Sequence, residues 1–263
     1  MTMTLHPVSI SLSSFGADQV RQLGQHALIE WVGRAGARYV ELREELFSGT
    51  PDWPALGAAI AARSLLCVYS SPLELWQAGK NAPAEALPAT LARASACGAR
   101  WLKVSLGHFT ANADLNALAA QLAGQTVQLL VENDQTPQGG RIEPLVQFFT
   151  AARARQVPVG MTFDIGNWQW QAQSVLGAAA QLGQHVQYIH CKGVRLSNGG
   201  KLVAVPPSVH ELNQWQRLFQ RMPNAQARAI EYPLQGEDLL AVTRREVERL
   251  ATLGAVFAPL QEA

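Results

Sequence analysis

Short apolar runs of strand length alternate along the chain with longer segments in which apolar residues recur at helical spacing. The runs at 8–12, 39–43, 65–69, 101–105, 127–132, 159–164, 186–191 and 227–231 have the length and residue types of buried strands. Amphipathic stretches fill the gaps at 18–35, 53–63, 84–96, 113–122, 143–155, 174–182, 209–221 and 238–250. Eight strand–helix units with short, even connections predict an α/β fold with a parallel sheet. In a chain of this length they predict closure into a single (β/α)8 TIM barrel. An open doubly wound sheet is the alternative, but no Gly-x-Gly-x-x-Gly turn follows the first strand. No linker or low-complexity tract interrupts the alternation, so residues 1–263 read as one domain. Two connections are longer than the rest, at 70–83 and 193–207. Both follow strand C-termini, the face that carries the active site in such barrels, and both are candidate lids.

Four consecutive strands end in a ligand-type residue: Glu132, Asp164, His190 and Glu231. A buried strand gains nothing from a charged tip without a partner, because an unpaired buried carboxylate is costly. Four such tips on the last four strands point to one shared metal ion. Three carboxylates with one imidazole suit Mn²⁺ or Mg²⁺, and Co²⁺ or Zn²⁺ are compatible. The plainer alternative is that each tip caps the next helix or joins an ion-pair layer.

Alternation along the strands adds neighbours to these tips. Tyr188 and Lys192 share the inner face with His190, while Cys191 turns outward as a packed thiol. Val40 and Leu42 have to meet the helices, so Glu41 and Arg43 point into the mouth, with Arg43 read as the ion-pair partner of Glu41. Lys103 ends the fourth strand, where it can take a carboxylate, a phosphate or an enediolate, or form a rim salt bridge. His108 follows that strand. Phe15, Phe47, Trp76, Trp168 and Trp170 fall in loops on the same face, as a candidate wall around a sugar. Gly139-Gly140-Arg141 opens the next helix after the fifth strand, a weak anion-site signal. The substrate-binding candidates are Glu41, Lys103, Asn167, Lys192, Trp168 and His108.

Composition narrows the partners. A net charge of +1, from 21 basic and 20 acidic residues, makes no electrostatic case for nucleic acid or a membrane surface. Cys67, Cys97 and Cys191 are odd in number and far apart, which argues against a disulfide scaffold. The N-terminus lacks signal-peptide character, and no apolar run has bilayer length. A cytoplasmic protein is expected.

The segments Val131-Glu132-Asn133, Phe163-Asp164-Ile165-Gly166-Asn167, Ile189-His190-Cys191-Lys192 and Ile230-Glu231 resemble the xylose-isomerase-like TIM barrels. That family holds sugar isomerases and epimerases and the AP-endonuclease-2-like proteins. The likeness extends from Val8-Ser9-Ile10 and Val40-Glu41-Leu42 through to Glu231-Tyr232. Glu132-Asn133-Asp134-Gln135-Thr136 is also similar to an epimerase of bacterial 2-ketogluconate utilisation. The resemblance implies one divalent metal held by Glu132, Asp164, His190 and Glu231, with Glu132 and Glu231 as the catalytic proton-transfer pair. The implied reaction is isomerisation or epimerisation of a sugar, keto-sugar acid or sugar phosphate. A proton leaves the carbon next to a carbonyl, and the metal offsets the charge of the enediolate.

Two positions depart from the family pattern. Asn167 stands where many members carry His, and it can hydrogen-bond a hydroxyl but cannot act as a base. Asp134 replaces a second His. A lyase or dehydratase on the same site is the alternative chemistry. A non-catalytic sugar-binding barrel and an AP-endonuclease-like nuclease are further alternatives. Tyr69, Lys103 and Asn167, standing where the nuclease needs histidines, speak against the last. The partner implied is a small sugar or keto-sugar acid, and the oligomeric state stays open, a homodimer among the options.

Overall fold

Whether a run of strands closes depends on whether its last strand can pair with its first. Here it does. The structure, a computed structural model, describes residues 4–255. Strands β1 (Val8–Ser11), β2 (Tyr39–Arg43), β3 (Leu66–Trp76), β4 (Ala99–Gly107), β5 (Gln128–Glu132), β6 (Val159–Asp164) and β7 (Val186–Cys191) lie side by side. β8 (Gly193–Leu196) and β9 (Leu202–Val205) leave the ring as an antiparallel hairpin. β10 (Ala227–Ile230) then pairs in parallel with both β7 and β1, and the eight-stranded barrel is closed. It is a (β/α)8 barrel, as the alternation predicts.

The helices are α1 (Ala17–Leu23), α2 (Gln25–Arg34), α3 (Trp53–Ala62), α4 (Leu87–Ala96), α5 (Leu115–Leu122), α6 (Ile142–Ala154), α7 (Val175–Leu182), α8 (Val209–Phe219) and α9 (Leu239–Thr252). Five of them begin at a side-chain cap. Asp52, Asp114, Ser174, Ser208 and Asp238 each accept from the backbone N–H three residues on. Each cap satisfies a donor that the first helical turn leaves unpaired. Among the described residues, no helix is long and apolar enough to cross a membrane.

The sequence reading is corrected at three places. The helix expected over 18–35 is two helices, because Gly24 sits at φ 77° between α1 and α2. That backbone conformation is open to glycine at no steric cost. The connection at 70–83 is not simply a loop. β3 shifts register between Ser70 and Glu74 and continues, pairing Glu74 with Ser105 and Trp76 with Gly107. A Cβ on Gly107 would stand 2.2 Å from the Trp76 carbonyl oxygen, so only glycine permits this contact. The connection at 193–207 is largely the β8–β9 hairpin.

Most buried apolar side chains lie between the barrel and its helices. A second cluster fills the barrel itself: Tyr39, Val68, Trp101, Leu130, Tyr188, Ala227 and Ala229. Trp101 stacks on Tyr39 at 5.2 Å between ring centroids and tilts against Tyr188 at 5.4 Å. This plug supports the residues one inward step nearer the C-terminal face: Lys103 follows Trp101, Glu132 follows Leu130, and His190 follows Tyr188. Trp101→Ala should therefore lower stability by about 3–5 kcal/mol, the usual cost of truncating a buried tryptophan. Urea unfolding measures it, and a loss under about 1 kcal/mol would show that the plug does not support the barrel.

Candidate metal centre

The four tips meet. Glu132 and Asp164 end β5 and β6, His190 lies near the end of β7, and Glu231 is the residue after β10. One ligand atom from each lies within 4.8 Å of the other three. Local bonds carry the tips past the last ladder pairs. The Asn133 side chain accepts from Asp164 N at 2.8 Å and donates to Asp164 O at 2.9 Å, joining β5 to β6. Glu231 N donates to Cys191 O at 3.1 Å, extending the β10–β7 pairing by one step.

Each carboxylate has at least one oxygen held by protein donors. Asp164 Oδ1 accepts from the Gly166 and Asn167 amides at 2.8 and 2.9 Å. Glu231 Oε1 accepts from Arg43 at 2.7 Å, and Glu132 Oε2 takes the Lys103 ammonium. The other oxygens turn inward to His190. Its Nδ1 lies 2.9 Å from Glu132 Oε1 and from Glu231 Oε2, and 3.7 Å from Asp164 Oδ2. Those contacts are not hydrogen bonds in direction: His190 Nδ1 and Asp164 Oδ2 are buried and have no hydrogen-bond partner. Three inward carboxylate oxygens with one imidazole nitrogen are a donor set that fits a divalent cation. Ion pairing is present as well. The Lys192 ammonium lies 2.7 Å from Asp164 Oδ2 and 2.8 Å from Glu231 Oε2, on the inward side.

These charges tune one another. Burial opposes ionisation of Glu132, but Lys103 and His190 outweigh it and hold its pKa below the ordinary value. Burial likewise opposes ionisation of Glu231, which His190, Lys192 and Arg43 hold well down. Asp164 goes the other way, because its burial raises the pKa more than Lys192 lowers it. Burial disfavours a charged His190, yet Glu231, Glu41 and Glu132 push its pKa well above the usual imidazole value. Glu41, against its own burial, is brought down to about 2 by His190, Lys103 and Arg43.

A cavity of about 330 Å³ opens over this floor. Arg43, Lys103 and Lys192 line it with hydroxyl and amide groups from Ser105, Thr136 and Asn167, and Pro72 is the one apolar residue in the lining. Asn167 donates to Asn133 O at 2.9 Å and accepts from Gln135 at 3.2 Å. Of the substrate-binding candidates, Lys103, Asn167 and Lys192 reach the cavity and three do not. Glu41 is fully buried below the floor. Trp168 is fully buried against Phe163, with ring centroids 5.4 Å apart. His108 is half-buried at the end of β4, its amide donating to Trp76 O at 2.8 Å.

The expected aromatic wall is absent from the lining, because those rings pack into the protein: Phe15 on Trp31, Phe47 on Trp53, Trp76 on Phe148. Trp170 is half-buried outside the cavity. Arg43 pairs with Glu41 at 3.2 Å, as read from the sequence, and also with Glu231. Cys191 faces the outer apolar layer, where burial pushes its thiol up to about 12. Asp134 shapes its own loop, accepting from the Thr136 amide and hydroxyl at 2.8 and 2.6 Å. Cβ atoms on Gly139 and Gly140 would collide with Asp134, which accounts for that glycine pair without an anion. Sequence reasoning gave no role to Asn133, although it stands inside the quoted Val131-Glu132-Asn133 signature.

No protein-family model matches the chain, and no curated protein matches it in sequence. Solved structures do. A xylose isomerase domain-containing protein from Salmonella typhimurium LT2 is similar over 97% of this chain and 99% of its own, with TM-score 0.68 and 15% identity. The D-psicose 3-epimerase of Clostridium cellulolyticum H10, solved with D-tagatose, is similar over 94% and 99%, with TM-score 0.67 and 10% identity. The fold is that of the xylose-isomerase-like barrels. The IolI protein, solved with a bound zinc atom, is similar over 94% and 99%, with TM-score 0.67 and 11% identity. At these identities the likeness concerns the fold alone.

A ligand imidazole has to give up its proton to a metal. The folded-state pKa of His190 is raised above 6.5, so protein charges favour a proton on it at neutral pH. Protonated His190 therefore stabilises the metal-free fold fully below pH 6.5, and that contribution is lost as pH rises through the folded value. Mn²⁺ affinity should run the opposite way, rising by roughly tenfold per pH unit above 6.5 until His190 is neutral. Calorimetric titration in buffers of different ionisation enthalpy should detect the released proton. Binding without proton release would exclude His190 as a protonated group that the metal displaces.

Proposed function

We propose that the protein is a divalent-metal-dependent isomerase or epimerase of a small sugar or sugar acid. The observation that carries the reading is the convergence of Glu132, Asp164, Glu231 and His190 Nδ1 on the floor of a polar cavity at the C-terminal face of the barrel. Glu132, Asp164, His190 and Glu231 would hold the ion, which would polarise the substrate's carbonyl and hydroxyl oxygens and offset the charge of the enediolate.

The chain's own groups do the rest. Glu132 and Glu231, kept ionised by their cations, are available as bases at neutral pH. They flank the site from β5 and β10, with β6 and β7 between them in the ring. One of them takes the proton from the carbon next to the carbonyl. The other returns it to the opposite face in an epimerisation, or the first carries it to the adjacent carbon in an isomerisation. Lys103, Lys192 and Arg43 supply positive charge where negative charge develops. Asn167, Ser105 and Thr136 offer hydrogen bonds to hydroxyls. Arg43, Lys103 and Lys192 are the cations that the carboxylate of a sugar acid would meet there, although Glu45, Glu132, Asp134 and Glu231 line the same cavity. A second reading has one observation in its favour: Lys192 touches the inward oxygens of Asp164 and Glu231, as it would in a non-catalytic barrel whose acids are closed by ion pairs.

The decisive experiment incubates Mn²⁺-loaded protein in D₂O with ketoses, keto-sugar acids and their phosphates, and follows deuterium into the C–H next to the carbonyl by NMR. Loss of a β-hydroxyl in the same spectra would convert the assignment to a dehydratase. Glu132→Gln and Glu231→Gln should each slow exchange by about 10²–10⁴-fold while metal analysis still finds bound ion. Asp164→Ala should lose ion and exchange together. Near-normal exchange in both glutamine variants would end the two-carboxylate mechanism, and a protein that takes up no metal would leave the ion-pair reading standing.

A further inference from the structure

Glu41 belongs to β2, which is separated from β7 in the ring by β1 and β10. Its side chain crosses the barrel interior below the cavity and is fully buried. A carboxylate in that position needs a full set of donors. Oε2 accepts from the Tyr188 hydroxyl at 2.8 Å and meets His190 Nε2 at 2.6 Å. Oε1 accepts from Ser11 Oγ at 3.3 Å and Arg43 Nη1 at 3.2 Å.

We infer that Glu41 is a positioning residue, fixing His190 with a proton on Nε2 and the Nδ1 lone pair turned toward Glu132, Asp164 and Glu231. An ionised carboxylate is acceptor-only, so the ring nitrogen 2.6 Å from it carries hydrogen. In the neutral ring the lone pair then falls on Nδ1, the nitrogen that faces the three ligand-type carboxylates. The opposite tautomer would set a bare nitrogen against a carboxylate oxygen at hydrogen-bond distance and turn an N–H into the space meant for a cation.

Two further contacts hold the ring and the carboxylate in place. Tyr188 meets the imidazole edge-on, with centroids 5.1 Å apart and planes at 76°. Arg43 bridges Glu41 and Glu231 at 3.2 and 2.7 Å, tying the orienting carboxylate to one of the ligand-type carboxylates. Glu41 does not line the cavity, so its part is played through His190 and not on a substrate.

The inference rests on the metal reading of the four tips, and the test separates the two. Glu41→Gln and Glu41→Ala are compared with wild type and with Tyr188→Phe, which removes a hydroxyl from the same carboxylate but leaves the His190 contact. Mn²⁺ affinity is read by calorimetry and electron paramagnetic resonance. The ring nitrogens are read by ¹⁵N NMR of histidine-labelled, Zn²⁺-loaded protein, with His190→Asn assigning the signal. Zn²⁺-loaded wild type should show Nδ1 bound to metal and Nε2 protonated. Both Glu41 variants should bind Mn²⁺ about 10–100-fold more weakly, the usual cost of losing such a partner, while Tyr188→Phe stays near wild type. If Glu41→Ala fails to fold, as circular dichroism and melting will show, the near-isosteric Glu41→Gln decides. Metal on Nε2, or wild-type affinity in Glu41→Gln, would overturn the inference and leave the metal reading intact. A wild type that binds no Mn²⁺ would remove both.

Discussion

The rest of the structure depends on one electrostatic constraint: four carboxylates, Glu41, Glu132, Asp164 and Glu231, lie together at the mouth of a barrel with little or no contact with water. Each buried ion carries a desolvation cost of several kcal/mol, which only well-placed partners return. The partners come from separate strands: Arg43 from β2, Lys103 from β4, His190 from β7, with Lys192 just beyond it. Their distances hold only while the barrel keeps its register. The aromatic plug of Tyr39, Trp101 and Tyr188 prevents the acids from relaxing downward. The Asn133 bridge and the Asp134-centred loop keep the tips of β5 and β6 from fraying outward.

Much of this was legible because strand periodicity is strict. Apolar runs gave the eight strands, amphipathic spacing gave the helices between them, and the ligand-type residues ending four of the runs gave the four tips. Height inside the barrel was not legible. Alternation says which side chains point inward, but the strands of a closed barrel are staggered by its shear. Glu41 lies two residues before the end of β2, while Glu132 and Asp164 are the last residues of theirs. It therefore sits a layer lower, under His190 instead of against a substrate.

The loops failed for a different reason. Trp168 follows β6 and Trp76 ends the extension of β3, and neither the loop's sequence nor the hidden extension told which way the ring would turn. The large apolar area of an indole drives it toward whatever core is in reach. For Trp168 that is Phe163, and for Trp76 it is Phe109 and Phe148. The strand extension past Ser70 was hidden by Ser71 and Pro72, poor strand residues that the register shift leaves outside the ladder.

The ion-pair and metal readings of the site look like competitors, and the charge balance shows how one cluster serves both. Four carboxylates against Arg43, Lys103 and Lys192 leave one negative charge, which an imidazolium at His190 cancels. Protein charges alone thus favour a proton on His190, in line with its raised pKa. A divalent ion held by these residues in place of that proton would bring the same floor to one net positive charge. A neutral sugar would leave that excess uncompensated until a carbon acid ionised, so under the proposed reaction the charge would act on the transition state more than on the bound substrate. A substrate that already carries a carboxylate would cancel it on binding, giving affinity at the expense of that selective stabilisation. The two substrate classes therefore predict different divisions of the same electrostatic energy between binding and turnover, although the residues that supply it are the same.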